Sequence, residues 1–293
     1  MTAPTAVAPR HHQLAVARRW RLAVVYGVAL SGSLFAVVPV LWMLSTALKA
    51  DDVVFSVPPQ LVPTDPAWSN FRTATELIPF WRYTANSALV AGVGAVGTVL
   101  SAALVAYALA RLRAPGMRVV LALVLATIML PQQVLLVSQF LIFKELGWYG
   151  TYLPLIVPSF LGGGAFNIFL LRQFFLTLPP ELDQAALVDG ASHLRIFWRV
   201  ILPQSVPALL AVGLLDFTSK WNDFLGPLIY LNRTEDYTLP LGLASFQDLY
   251  NTSWNYLMAG TLLALVPCVV VFALGQRLLA RGFAGRGAPG LTS

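Results

Sequence analysis

Asp216, Lys220 and Asp223 stand four and three residues apart in a stretch that is otherwise apolar. On a helix these intervals place all three on one face. Inside a membrane span such groups are costly unless they meet a partner or a wet cavity. Mutual pairing would satisfy them as structure. Alternatively, Lys220, Asn222 and Asp223, beside Trp221, line the outer part of a path for a polyhydroxylated solute. Hydroxyls need donors and acceptors, and an aromatic face suits the apolar side of a sugar ring. Asn167 joins this group because it follows Gly162-Gly163-Gly164, with Pro154 and Pro158 upstream. A helix broken in this way is tolerated at membrane depth only where its freed backbone is buried or lines a cavity.

A second constellation occupies PELDQAALVDGASHLRIFWRVILPQSVPA, residues 180–208. Pro179 and Pro180 suit a helix start, where a missing amide costs nothing. Glu181 and Asp183 then fall in the first turn, toward the positive end of the helix dipole. The spacing predicts a helix over 181–188, ended by Asp189-Gly190, since glycine adopts the left-handed conformation without steric cost. Ser192 can cap a second helix that runs to about Leu202, before Pro203. Its residues Leu194, Phe197, Trp198 and Ile201 recur at helical spacing and form one apolar face. The unit reads as two short helices on a membrane surface. Its apolar face rests on the bundle, and the side of Ala185, Ala186 and Gly190 stays open to a close-fitting partner. An amphipathic loop that only packs on its own bundle is the other reading of the same residues.

Catalytic patterns are missing. Lys49, Lys144 and Lys220 are followed by Ala50, Glu145 and Trp221, so no lysine opens the Lys-Ser/Thr end of a phosphate-binding loop. His11, His12 and His193 give no zinc-ligand spacing, and no nucleophile elbow is present. Gly92, Gly94 and Gly97 match a dinucleotide fingerprint in spacing, but no strand precedes them and the stretch is of bilayer length, so they serve close helix packing instead. Neither a catalytic residue nor a metal site is expected.

The elements that must position these residues follow from composition. Of 293 residues, 57% are hydrophobic and 11% charged, against roughly 25% charged in soluble domains. Apolar stretches of bilayer length, about 20 residues, occur near 22–48, 85–110, 118–142, 152–176, 206–231 and 257–279. The expected fold is all-α and transmembrane, a six-helix bundle over 22–281 with a surface unit at 180–203 between helices four and five. A mobile basic tail precedes it (1–21), and a second tail (282–293) follows. The first span is too long for a signal-peptide core and should remain as an anchor. Between spans one and two, the proline-rich stretch 49–84 carries Trp68, Phe71, Phe80 and Trp81, mostly as aromatics at headgroup level.

Basic residues are retained on the cytoplasmic side of a membrane. With both termini inside, 13 of the 19 Lys and Arg fall on that side and 6 on the other. That distribution also accounts for the net charge of +6 without nucleic acid, because the arginines flank spans and form no stripe. Cys268, the only cysteine, lies in the last span and reads as a small packing residue.

Gln184-Ala185-Ala186, then Asp189-Gly190-Ala191, and further on Phe197, Ile201, Leu202-Pro203 and Pro207, resemble the cytoplasmic coupling motif, often called the EAA motif, of permease subunits in bacterial ATP-binding-cassette importers. FTSKWNDFLGPLIYL (217–231), YTLPLGL (237–243) and PFWRYTANSALVAG (79–92) are similar to the carbohydrate branch of that family, in the maltose-transporter type. The resemblance covers nearly the whole chain. It implies a bacterial inner-membrane, multi-pass subunit that forms half of a sugar pathway with a second homologous permease. It further implies an extracytoplasmic sugar-binding protein and a cytoplasmic ATPase dimer that holds the ATP and Mg, with no cofactor in this chain. Glu181, Gln184, Ala185, Ala186, Asp189, Gly190, Ala191, Leu202 and Pro203 would form the ATPase-coupling surface. Gln184 stands where the family usually has Glu, and Glu181, one turn earlier, is placed to replace part of the lost charge. For Asp216 and its neighbours the resemblance also allows a structural or gating role. A self-sufficient secondary transporter remains the alternative, although only Asp216 could serve it as a midplane carboxylate.

Overall fold

A computed structural model of the chain describes residues 10–247 and 252–284, and for 10–20, 132 and 277–284 it describes the backbone alone. Among the described residues there is no strand beyond one isolated bridge, Gln247 to Thr252. The helices, in order, are α1 (Arg10–Ala47), α2 (Ser69–Leu77), α3 (Phe80–Arg111), α4 (Met117–Thr127), α5 (Gln132–Glu145), α6 (Leu153–Ile156) and α7 (Ala165–Leu176). They continue with α8 (Glu181–Val188), α9 (His193–Ile196), α10 (Leu202–Gln204), α11 (Val206–Trp221), α12 (Leu225–Tyr230), α13 (Leu239–Leu243) and α14 (Trp254–Ala284).

Four stretches are long and apolar enough to cross a membrane by themselves: Arg21–Ala47, Phe80–Arg111, Trp254–Gln276 and, interrupted at its glycines, Leu153–Leu176. The other two expected spans are divided further. At about 1.5 Å per residue, neither α4 nor α5 alone reaches across a hydrocarbon core of about 30 Å. They are separated at Pro131, which is extended (φ −61, ψ 126) and stands at the start of α5. The fifth segment breaks after Trp221, three residues before α12 begins.

Two tails also differ from expectation. The stretch 10–21 continues α1 as helix, so the first element begins well before the apolar run. At the other end α14 runs to Ala284. The glycine-rich end beyond it, and residues 1–9, lie outside the described residues.

α3 is the central element, packed along α7 and α11, while α14 lies against α1, α2 and α11. Small residues on α3 permit this. A Cβ on Gly97 would overlap the Phe160 ring, and one on Gly94 would fall 2.5 Å from Lys220 Cε. Gly92, expected to serve the same purpose, has nothing within 4 Å; it faces out of this chain.

Apolar burial divides into two cores. One gathers Ala103, Ala106, Leu171 and Phe175 with Ile196, Phe197 and Ile201 of the surface unit. The other gathers Phe80, Tyr83, Trp221, Leu239 and Leu257 with Ala47 and Ala74. Asn70 ties the outer stretch down, its Nδ2 donating to the carbonyls of Ala47 (2.9 Å) and Lys49 (2.8 Å). Phe80 is core rather than headgroup anchor, whereas Trp68 and Trp81 are exposed. α1 departs from the bundle: residues 21–42 are exposed throughout, and only 45–49 are buried.

Candidate functional site: a cavity between two cores and a surface unit beneath them

The cavity comes from the breaks in the third, fourth and fifth segments. It has a volume of about 860 Å³ and is lined from α3, α5, α6, α7, α11 and α12, between the two cores. In the fourth segment Gly162, Gly163 and Gly164 all have positive φ, a conformation that favours glycine. Gly163 lies directly on α3 against Thr98 and Ala102. The turn is stitched by Asn167 Nδ2, which donates to the Gly163 carbonyl at 2.9 Å, and by Ser101 Oγ, which donates to the Ser159 carbonyl at 2.7 Å.

Asn167, Asp216, Lys220 and Asp223 all face this cavity, together with Thr98, Gln139, Ser159 and Tyr230. Lys220 Nζ lies 2.9 Å from Asp216 Oδ2, so the i, i+4 pair forms, and its aliphatic chain passes over Gly94. Asp223 stands outside that pair; its Oδ1 accepts the Gly226 amide at 3.2 Å, at the start of α12. Trp221 and Asn222 do not join them. Trp221 is buried on the opposite side, stacked on Phe217 and donating from Nε1 to the Ala264 carbonyl at 3.3 Å. Asn222 is exposed and bonds back to the Thr218 carbonyl at 2.8 Å. The reason is the helix period for Asp216 and Lys220, from whose face Trp221 is turned by about 100°, while Asp223 reaches the cavity from the break between α11 and α12. Tyr230, which pattern reading missed, is buried and its hydroxyl has no protein partner. No group of His, Cys, Asp and Glu that could hold a metal occurs among the described residues.

Beneath the cavity lies the surface unit. α8 ends where Gly190 turns left-handed (φ 76). Ser192 Oγ accepts the Arg195 amide at 3.4 Å and starts α9. The following helix differs from the expected one. Residues Phe197–Ile201 form a π segment, and the helix runs through Pro203 to Gln204. The wider π turn removes the regular i−4 alignment in which the proline ring would meet a carbonyl. It also rotates the buried face: Ile196, Phe197 and Ile201 are in the core, while Leu194 and Trp198 are exposed. The chain then bends by 80° at Ser205 into α11.

Glu181, Gln184, Ala185, Asp189, Gly190 and Pro203 are exposed; Ala186, Ala191 and Leu202 are half-buried and pack on the first core. Exposed Leu187 and Val188 extend the outward surface. The back of the unit is pinned by a residue that no sequence motif marks. Arg111, at the end of α3, pairs with Asp183 of α8 at 3.1 Å, with both side chains mostly buried. It also donates to the carbonyls of Phe175 (2.7 Å) and Leu178 (2.8 Å), which end α7. One guanidinium thus joins the surface unit to the second and fourth segments. A chain of spacings offers no signal for this contact, because 72 residues separate its partners.

Comparison with known proteins decides what such a bundle is. Residues 98–285 match the family described as binding-protein-dependent transport system inner membrane component. The chain belongs to this family. A probable ABC transporter permease protein, YurM, of Bacillus subtilis is 35% identical over 252 residues, covering 84% of this chain and 81% of the relative. The diacetylchitobiose uptake system permease protein DasC of Streptomyces coelicolor is 33% identical, covering 84% of this chain and 89% of its own. The sn-glycerol-3-phosphate transport system permease protein UgpE of Yersinia pestis is also 33% identical, covering 86% and 92%. In fold, the chain superposes on a bacterial ABC transporter involved in the import of the acidic polysaccharide alginate with a TM-score of 0.75. The identity there is 23%, over 93% of this chain and 99% of that one. This inner-membrane component is therefore a permease subunit of an ABC transport system.

Proposed function

We propose that this permease subunit belongs to an ATP-driven importer of a saccharide or related polyol, and that residues 180–203 dock it onto a cytoplasmic ATPase. The observation that carries this reading is the division of the surface unit. Its motif side, Gln184, Ala185, Asp189 and Gly190, faces outward, while Arg111 and Asp183 hold its back to the bundle. A unit that only packed on its own bundle would not leave Val188 and Leu194 uncovered. ATP and Mg sit on the ATPase dimer, closure of which moves α8 and α9 and, through Arg111, the ends of α3 and α7. A second homologous permease covers the exposed length of α1 and the open side of the cavity. An extracytoplasmic binding protein delivers the solute. Both termini lie in the cytoplasm of a bacterium, a placement that the distribution of basic residues supports, and 22–281 acts as the permease domain.

The test is purification in mild detergent with identification of what co-purifies. An ATPase and a second permease should accompany the wild type and be depleted at least tenfold with Gly190→Arg. Gly190 has open space around it, so the fold should tolerate this change apart from a left-handed strain of about 1–2 kcal/mol. Recovery of the chain alone, or uptake driven by an ion gradient without ATPase, would overturn the reading.

Glu181 and Gln184 lie one turn apart and are both exposed, which suits a shared contact with a basic partner. Glu181→Ala is expected to lower ATP-coupled uptake by about tenfold, since charge-assisted contacts are roughly twice as strong as neutral ones. Unchanged uptake in Glu181→Ala, with abolished uptake in Gln184→Ala, would assign the contact to Gln184 alone.

A further inference from the structure

The charges that face the cavity are Asp216, Lys220 and Asp223, a balance of one negative charge. Lys220, the only cation among the described lining residues, is already paired with Asp216 at 2.9 Å. Asp223 is half-buried and receives only one backbone amide. Everything else polar on the wall is neutral: amides, hydroxyls and the buried, unpartnered phenol of Tyr230. A phosphate or uronate entering here would find no free cation and would meet the Asp223 carboxylate at low dielectric. An uncharged polyol would find donors and acceptors in abundance, with an unpaired hydroxyl waiting on Tyr230.

We propose that this half of the pathway is a charge filter that admits uncharged saccharides and excludes phosphorylated and uronic solutes, with Asp223 as the residue that sets its sign. The proposal rests on the importer reading and names the solute class within it. The Asp216–Lys220 pair supports the filter without contributing net charge. It keeps the ammonium from acting as an anion site, as an unpaired lysine in such a cavity would.

The filter can be read directly in the co-purified complex. In a Cys268→Ser background, a Ser219→Cys thiol, one turn from Asp223 on the cavity wall, is reacted with three methanethiosulfonates: hydroxyethyl (neutral), sulfonatoethyl (anionic) and trimethylammonioethyl (cationic). Rates are normalised to those of a small thiol in solution. The anionic reagent should be slowed relative to the neutral one by about tenfold, as expected for one like charge a few ångströms away, and the cationic one should be favoured. Asp223→Asn should remove that difference, and Lys220→Gln should widen it. Opposite shifts from two substitutions in one cavity are not produced by misfolding, which slows or exposes all three reagents together. Equal normalised rates in the wild type, or no change in Asp223→Asn, would overturn the filter. A second arm uses the complex with its binding protein. Stimulation of ATP hydrolysis by glycerol 3-phosphate or a diuronate, at the level given by a neutral disaccharide, would overturn the solute assignment. Failure of the importer reading would show separately, as the absence of any ATPase in the complex.

Discussion

Arg111→Ala is expected to uncouple the transporter and to lower the stability of this subunit by about 3–5 kcal/mol, the range for removing one partner of a buried ion pair. Three acceptors lose a charged donor at once: the Asp183 carboxylate and the carbonyls of Phe175 and Leu178. The carbonyls lie at and just beyond the C-terminal end of α7, where a cation is favoured, although that of Phe175 keeps the Leu178 amide at 3.2 Å. Asp183 becomes a mostly buried carboxylate without a counter-charge. Arg111→Lys keeps the charge but not the planar fork that reaches several acceptors together, so it should fall between wild type and alanine. Exchanging the two residues, Arg111→Asp with Asp183→Arg, should not restore function, because the carbonyls then face a carboxylate. Thermal unfolding of the purified complex and the ratio of ATP hydrolysed to solute taken up check the prediction together. Full coupling in Arg111→Ala would show that α8 transmits force through its apolar contacts alone.

Gly163→Ala is expected to cost about 3 kcal/mol or more. A left-handed conformation costs an L-residue about 1–2 kcal/mol by itself, and Gly163 has φ 68. The added methyl would also meet the Thr98 carbonyl oxygen, with the Ala102 amide nitrogen at 2.9 Å and Ala102 Cβ at 2.8 Å. These are backbone and first-carbon atoms that no rotamer change can move. α7 would have to separate from α3, opening the wall of the cavity where Asn167 and Ser159 are held. Gly162→Ala is the internal control for backbone strain, because its φ of 124 is unfavourable while no atom lies within 4 Å. Gly92→Ala controls for the added methyl alone. The expected order of unfolding temperature is Gly92→Ala near wild type, Gly162→Ala lower and Gly163→Ala lowest. Equal values for Gly162→Ala and Gly163→Ala would mean that strain, and not the contact with α3, decides the effect.

Much of this protein was legible without coordinates, because the properties concerned are local or compositional. Bilayer-length apolar runs and the basic residues beside them depend on no distant contact. The end of α8 at Gly190 and the Ser192 cap were readable for the same reason, since each is settled within one turn. The two-helix form of the surface unit was likewise legible as a pattern of neighbours.

What required the tertiary structure is every feature set by more than one segment. The face of α9 that is buried could not be read from a 3.6-residue period, because a π segment shifts the register and leaves Leu194 and Trp198 outside. Trp221 and Asp223 are close in sequence, yet the end of α11 leaves one in a core and the break that follows turns the other into the cavity. Gly94 and Gly97 proved to be sites of close approach and Gly92 did not, a difference made by where Lys220 and Phe160 lie. Arg111 looked like one more topological arginine until α3 and α8 were seen together. Composition and spacing determined that this chain lies in a membrane and what motif it carries, because hydrophobic transfer and helix termination act residue by residue. Which charges pair, which glycines matter and which side chains face the cavity were decided by packing, because helices far apart in sequence supply each of those partners.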